Sequence, residues 1–476
     1  MAEIRRRSLS TSPEEKAERS TRSKARLFAI LFACLLIPGS FFLAGARFTP
    51  YRAFLLIAFV PLLIQFLRGA AGRFTSVDLL VILYGAWITM SMLVHLGFER
   101  IDFIVIQLVE AICGYLIGRV LVRNASEYRL FFRCFFWGLL AILPFAILEM
   151  LTKTNLTSQI AGTVLQPYPT STVPPRFGLH RAQSSFEHPI LFGLFCSLGF
   201  ANALFIFKGE KMRRLFWTGV VFLSTFTALS SAPLLALVIQ TAMMTWDRLV
   251  QAAKSKWFFL VAFGGGAFLL LELVTPNGAV DFLISTVTLN PASGNYRLET
   301  FRYVFAAILR YPLFGTDDPD DIGLPWWHTG SIDNFWLVTA IEMGLPAMLF
   351  LFSAMVLHLV RAITADGLDD TASRYRTGHF IAIPGLIFLL ITVHIWGAAN
   401  VMIMAYIGAG AWIYAPQVQK APQRRRAAPA AKREEEPSSP PPAGKKPGPV
   451  RPPATQVARD RTRVRGSTGR YGGGQS

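Results

Sequence analysis

Charged residues and cysteine are scarce in this chain of 476 residues, and each scarcity excludes a class of protein. Only 16% of the residues are charged, against about 25% in a typical soluble domain, which argues against an ordinary water-soluble enzyme. The four cysteines stand inside apolar stretches without a CxxC pair, so the sequence indicates neither a disulfide framework nor a zinc site. Hydrophobic residues reach 53% and come in long blocks, which excludes disorder, collagen and coiled coil for most of the chain.

The apolar blocks have the length that a lipid bilayer requires, about 20 residues for one helical span. We therefore predict an all-α fold, a polytopic membrane bundle of about twelve transmembrane helices. The predicted spans are residues 27–46, 51–67, 77–96, 101–122, 128–150, 189–207, 215–230, 232–247, 257–274, 335–360, 380–396 and 399–415.

The net charge of +18 is concentrated at the two ends of the chain. Residues 1–26 hold eight basic and four acidic residues, and residues 417–476 hold fourteen and four. This distribution is typical of cytoplasmic tails beside anionic lipid and argues against nucleic-acid binding. We predict a basic cytoplasmic tail over 1–26, a transmembrane domain over 27–416, and a disordered Pro- and Arg-rich cytoplasmic tail over 417–476 that is solvated or binds a partner or lipid.

Basic residues in the short connections fall on one side of the bundle when the N-terminus is cytoplasmic, as the positive-inside rule requires. Two connections on the opposite, outer side are long, about 151–188 and 275–334. The second contains a predicted amphipathic helix, Tyr296–Arg310. Long loops in a compact domain are usually functional, so we expect the working face to be periplasmic or extracellular.

The end of the first long loop brings titratable residues directly to a predicted span. His180 and Arg181 precede Glu187, His188 and Pro189, and proline suits the first position of a helix. These side chains should lie at the outer surface of the membrane that the bundle spans. Arg181 either contacts lipid headgroups or belongs to a functional site.

The second long loop supplies further candidates. Arg297 and Arg302 share the amphipathic helix without sharing a stripe, and His328 follows an aspartate-rich segment, 317–321, that lacks calcium-loop spacing and is expected to be solvated. Asp333 then opens the next predicted span, either as its N-cap or in a catalytic role.

Short motifs at these places resemble the O-antigen ligase and O-antigen/exopolysaccharide polymerase superfamily, which comprises polytopic bacterial membrane glycosyltransferases. The order of the motifs and the topology agree from about residue 27 to 415. The motifs are Arg181 with Phe186-Glu187-His188-Pro189 and Gly193, then Arg297 and Tyr311-Pro312-Leu313-Phe314-Gly315, then Asp333-Asn334-Phe335-Trp336-Leu337 with Glu342 and Gly344-Leu345.

The resemblance implies a metal-independent, inverting glycosyltransferase without a cofactor, whose donor is a glycan on undecaprenyl diphosphate at the bacterial inner membrane. Guanidinium groups suit this role because they bind phosphate oxygens and stabilise the charge of a leaving diphosphate. Arg181 and Arg297 are assigned that role, with Arg302 as the alternative arginine. Either Asp333 or His328 is the candidate base. The remaining candidates for substrate binding are His180, Glu187, His188 and Asn334.

Two departures from the ligase pattern favour a polymerase that joins lipid-linked repeat units, with a chain-length regulator as a possible partner. Ligases carry a His where this chain has Asp333, and many carry an Arg after the serine where it reads Ser231-Ala232-Pro233. The alternatives are an O-antigen ligase acting on the lipid A core and a twelve-helix transporter. Glu110 and Arg119, ionisable residues inside predicted spans, are the main support for a transporter, and each needs a partner elsewhere in the bundle.

Overall fold

The described part of the computed structural model covers most of the predicted transmembrane domain. It consists of residues 13–43, 46–169, 173–250, 255–276, 278–279, 282, 291–328, 330–415 and 448. The chain divides into two compact units, Met1–Gln419 and Lys420–Ser476, and all described residues except Gly448 belong to the first. The predicted C-terminal tail therefore lies outside the described residues apart from Gly448, as do residues 1–12.

The described residues are predominantly helical, with one antiparallel strand pair, β1 (Phe41–Leu43) and β2 (Ala46–Phe48). The helices are α1 (Pro13–Leu36), α2 (Pro50–Leu67), α3 (Ser76–Leu96), α4 (Ile101–Leu121), α5 (Ala125–Thr152), α6 (Leu156–Ala161), α7 (Pro189–Ser197), α8 (Phe200–Ile206), α9 (Lys211–Thr227), α10 (Ser231–Leu249), α11 (Lys256–Val274), α12 (Pro291–Arg310), α13 (Pro319–Ile322), α14 (Phe335–Met343), α15 (Leu345–Thr364), α16 (Asp370–Thr392) and α17 (Gly397–Gly410). Helix α1 begins inside the predicted N-terminal tail.

Eight helical segments among the described residues are long and apolar enough to cross a membrane, which confirms an all-α membrane helix bundle. They comprise α2, α3, α4 with the preceding turn, α5, α7 with α8, α11, α15 and α16. The other four predicted spans overlap α1, α9, α10 and α17, whose length or composition places these helices outside this set. The predicted span 27–46 is wrong after residue 36, because α1 ends at Leu36 and β1 follows at Phe41.

The predicted span 335–360 consists of two helices, because the chain breaks at Gly344 between α14 and α15. Gly344 has φ +85°, and a Cβ atom there would lie 1.8 Å from the carbonyl oxygen of Leu313. The Leu345 amide donates to the Pro312 carbonyl at 2.9 Å. The loop that follows α12 is thereby fixed against the break, which the hydropathy of the span did not indicate.

Helices α4 and α17 pack with their backbones in close contact. A Cβ atom at Gly118 would lie 2.1 Å from the Ala405 carbonyl oxygen, and one at Gly408 would lie 2.2 Å from that of Tyr115. Glycine at both positions permits this approach, as small residues do in membrane helix pairs. Four buried phenylalanines of α5 fill the adjacent core: Phe131, Phe132, Phe135 and Phe136.

The two ionisable residues predicted inside spans each have a partner on another helix. The Arg52 Nε atom of α2 lies 2.5 Å from a Glu110 carboxylate oxygen of α4. The Arg119 Nε atom lies 2.8 Å from an Asp78 oxygen of α3, and both residues are almost fully buried. Pairing satisfies charges that would otherwise be costly in a bilayer. Each of the two residues thus has the partner elsewhere in the bundle that its position in a predicted span requires.

Candidate functional site

A cavity of about 540 Å³ lies where α7, α10 and α14 begin. Four residues predicted to be functional line it: Arg181, His188, Arg297 and Asp333. We call it the arginine cavity. Its remaining lining residues are Val173, Arg176, Ile190, Ser230, Ser231, Ala232, Leu234, Leu235, Val238, Ser331, Phe388 and Thr392.

Arg181 is 6% exposed and makes no hydrogen bond or ion pair with the described residues. Burial, and then the positive charge of Arg176, lowers the pKa of Arg181 to about 10, so the group stays cationic at neutral pH. A buried charge without a counter-charge is unfavourable. The arrangement therefore suits an anion that comes from outside the chain.

The segment that carries Arg181 is held through its backbone. The Glu149 carboxylate of α5 accepts the amide hydrogens of Gln183 and Ser184 at 3.1 and 2.8 Å, and the Ala182 amide donates to the Thr227 carbonyl at 3.0 Å. Glu149 is 1% exposed. Glu149 therefore fixes the loop that carries Arg181.

Arg176 also lines the arginine cavity, although sequence reasoning did not select it. Its Nη1 atom donates to the Leu229 carbonyl at 2.9 Å and to Ser231 Oγ at 3.0 Å. Burial, and then the charge of Arg297, lowers the pKa of Arg176. The available signal was a basic residue in a connection predicted to be on the outer side, where the charge rule disfavours one.

Arg297 and Asp333 contact each other in the wall of the cavity. Arg297 Nη2 lies 3.3 Å from Asp333 Oδ2, and Ser331 Oγ donates to Asp333 Oδ1 at 3.0 Å. The predicted capping role of Asp333 is wrong, because Asn334 caps α14 and accepts the amide hydrogens of Trp336 and Leu337. The Asp333 carboxylate therefore remains available to the cavity, and Asn334 has a structural role at the helix start.

His188 is the N-cap of α7, and Pro189 occupies the start of that helix as predicted. His188 Nδ1 accepts the Ile190 amide hydrogen at 3.2 Å, so this network assigns the proton of the neutral ring to Nε2. Burial, followed by the charge of Arg181, lowers the pKa of His188 to about 4, while Asp333 acts in the opposite direction. The ring is neutral at pH 7.

His328 lies outside the arginine cavity, and both of its ring nitrogens are engaged. Nδ1 accepts the Gly330 amide hydrogen at 3.0 Å, and Nε2 lies 2.8 Å from Thr300 Oγ1. The Thr300 hydroxyl donates to the Tyr296 carbonyl, so Nε2 is the donor to Thr300. The ring also stacks on Tyr296 with centroids 4.5 Å apart. No ring nitrogen is left to accept a proton.

The other predicted site residues do not line the arginine cavity. Arg302 is exposed on α12, and His180 is partly buried with its amide donating to the Met150 carbonyl. Glu187 lines a second cavity of about 220 Å³, which we call the glutamate cavity. Its polar lining comprises Arg52, Tyr84, Gln107, Glu110, Glu187, Thr339, Glu342, His394, Trp396 and Asn400.

The aspartate-rich segment contains α13, and Asp321 accepts hydrogen bonds from Tyr311 and Thr316. Within the described ranges, no group of three or more His, Cys, Asp or Glu side chains is arranged to hold a metal ion.

Fold and site together define a membrane helix bundle with a cationic cavity at one end. The chain matches no protein-family model and no curated protein sequence.

Proposed function

We propose that this chain is a polysaccharide polymerase that joins undecaprenyl-diphosphate-linked oligosaccharide repeat units at the periplasmic face of the bacterial inner membrane, in exopolysaccharide or O-antigen synthesis. The observation that carries the proposal is Arg181, a buried cation without a partner among the described residues, beside Arg176 and Arg297. Three guanidinium groups around one cavity suit a diphosphate.

The proposed topology has twelve spans with both termini in the cytoplasm. It takes the eight long apolar segments together with α1, α9, α10 and α17. Under this topology α7, α10 and α14 all begin on the periplasmic side, and the arginine cavity lies at these three helix starts. A lipid-linked donor would present its diphosphate at that depth.

The proposed reaction is an inverting displacement. The Asp333 carboxylate takes the proton of an acceptor hydroxyl, whose oxygen forms a bond to the anomeric carbon of the donor sugar. The bond from that carbon to the diphosphate oxygen breaks, and its electron pair stays on the diphosphate. Arg181 and Arg297 stabilise the developing charge, with Arg176 beside them. Asp333 is assigned as base because His328 has no free ring nitrogen.

A ligase that transfers the glycan to the lipid A core is the second candidate, and one observation favours it. Many ligases of the superfamily that the sequence resembles carry an arginine directly after the serine at which α10 begins. Arg176 donates to Ser231 Oγ at 3.0 Å, so a guanidinium reaches that place from the loop. This contact weakens one of the two departures from the ligase pattern, while Asp333 still favours the polymerase.

Glycan analysis of a deletion strain tests the proposal by separating surface polymer, lipopolysaccharide and undecaprenyl-linked intermediates. The polymerase predicts that single repeat units accumulate on the lipid carrier. Long chains left on the carrier would identify a ligase instead. Unchanged pools in all three fractions, in a strain without a redundant enzyme, would contradict both and favour a transporter.

A further inference from the structure

The glutamate cavity contains polar side chains that have no partner in the described part of the protein. Gln107, Glu342, His394 and Asn400 all line the cavity, and the side chains of these four residues make no hydrogen bond with the described residues. The His394 Nδ1 atom is fully buried. Unsatisfied donors and acceptors around one cavity require either water or a polar ligand.

The two cavities differ in the charge of their walls. Three arginines and one carboxylate line the arginine cavity, whereas three carboxylates and one arginine line the glutamate cavity. The carboxylates Glu110, Glu187 and Glu342 outnumber the single guanidinium of Arg52 in the wall of this cavity. A diphosphate is attracted to the first cavity and repelled by the second. The ligand of the glutamate cavity is therefore a different group.

The same three backbone segments separate the cavities. The glutamate cavity is lined by Glu187, Phe335 and His394. The arginine cavity is lined by residues one or two positions away in the sequence, namely His188, Asp333 and Thr392. A group bound in the glutamate cavity consequently lies beside the carboxylate that the proposed function assigns as base.

We propose that the glutamate cavity binds a neutral, hydroxyl-rich sugar residue of the acceptor glycan. This inference rests on the proposed function and adds a second substrate site to it. Sugar hydroxyls both donate and accept hydrogen bonds, which matches the mixed amide, carboxylate and imidazole lining. The volume of about 220 Å³ equals roughly seven waters at liquid density, which is the scale of one sugar ring.

The test uses the full-length protein in nanodiscs with two separate measurements. Native mass spectrometry measures binding of undecaprenyl diphosphate. Transfer kinetics measure the acceptor KM, with the host's lipid-linked repeat unit as donor and the repeat-unit oligosaccharide cut from its lipid as acceptor. The variants are Gln107→Leu and Asn400→Leu. Gln65→Leu is the matched control, because Gln65 is another partly buried helical glutamine and lines neither cavity.

We expect each cavity variant to raise the acceptor KM about fivefold, the ratio given by one lost hydrogen bond, with unchanged kcat and lipid diphosphate binding. Gln65→Leu should match the wild type in all three quantities. A wild-type KM in both cavity variants would overturn the inference and leave the proposed function intact. Loss of lipid diphosphate binding in both would also overturn it, since the cavity would then serve the donor. A wild-type protein that neither binds undecaprenyl diphosphate nor transfers glycan would overturn the proposed function and this inference with it.

Discussion

The Arg297 guanidinium lies 3.3 Å from the Asp333 carboxylate, which joins the amphipathic helix α12 to the start of α14 in the wall of the arginine cavity. The contact uses one side of the guanidinium, and the buried Nε atom of Arg297 has no partner in the described part of the chain. Arg297 can therefore orient the proposed base and bind an anion at the same time.

Replacing Arg297 with alanine should reduce polymer formation about 100-fold or more, because one stabilising group for the leaving diphosphate is lost. The measurement is polymer yield and chain length in cells, with membrane protein level determined by immunoblot. Arg302→Ala is the matched control, since Arg302 lies on the same helix, is exposed and does not line the cavity. Equal yields from the two variants would contradict the role of Arg297.

Asp333 and His328 should respond very differently to loss of their proton-accepting atoms. Asp333→Asn keeps the shape of the side chain and should lower the transfer rate by about 100-fold to 10,000-fold, the usual contribution of a general base. His328→Gln should lower it little, because both ring nitrogens already serve Thr300 and Gly330. The comparison is kcat for transfer in nanodiscs, and the reverse order of effects would assign the base to His328.

His188 should make the fold sensitive to acid. Its pKa is lowered from 6.5 to about 4, so the unfolded chain takes up the proton first as the pH falls. The stability due to the neutral ring is complete above pH 6.5 and is lost towards pH 4. His188→Asn keeps an N-cap without a titrating group and should flatten this slope. Melting temperatures of both proteins between pH 4 and 7 check the prediction, and parallel curves would refute it.

Gly344→Ala should destabilise the bundle by at least about 2 kcal/mol, because the residue has φ +85° and its new Cβ would overlap the Leu313 carbonyl oxygen. Gly219→Ala in α9 is the control, since nothing lies within 4 Å of the added atom. That variant should be neutral or gain up to about 1 kcal/mol from helix propensity. Thermal unfolding of the two purified variants gives the comparison, and similar melting temperatures would show that the break tolerates a side chain.

Hydropathy was sufficient to predict most of the bundle, because each span must bury about 20 residues in lipid. The predicted span 77–96 corresponds to α3 at Ser76–Leu96, and 257–274 to α11 at Lys256–Val274. The break at Gly344 escaped prediction because apolar residues continue on both sides of it. Two features explain why the helix ends there: Gly344 lies against the Leu313 carbonyl, and Pro346 in the first turn of α15 has no amide hydrogen with which to continue α14.

Sequence order was a weaker guide to the site, since the cavity gathers side chains from separate loops. Arg302 and Arg297 were both candidates, but the direction of each side chain from α12 decides that only Arg297 reaches the cavity. Arg176 was missed because a lone arginine in a Pro- and Thr-rich loop has no motif around it. Asp333 and Asn334 are adjacent in sequence, and only the hydrogen bonds distinguish the cap from the exposed carboxylate.

Glu149 accepts hydrogen bonds from the main-chain amides of residues 183 and 184, so the position of Arg181 in its loop depends on a side chain of helix α5. Side-chain changes at Gln183 and Ser184 leave both amide hydrogens in place, whereas a carboxylate one methylene shorter at position 149 would no longer reach them. The two hydrogen bonds thus tolerate substitutions in the loop but require glutamate at position 149. Helix α5 does not line the arginine cavity, yet one of its carboxylates determines where the Arg181 segment lies.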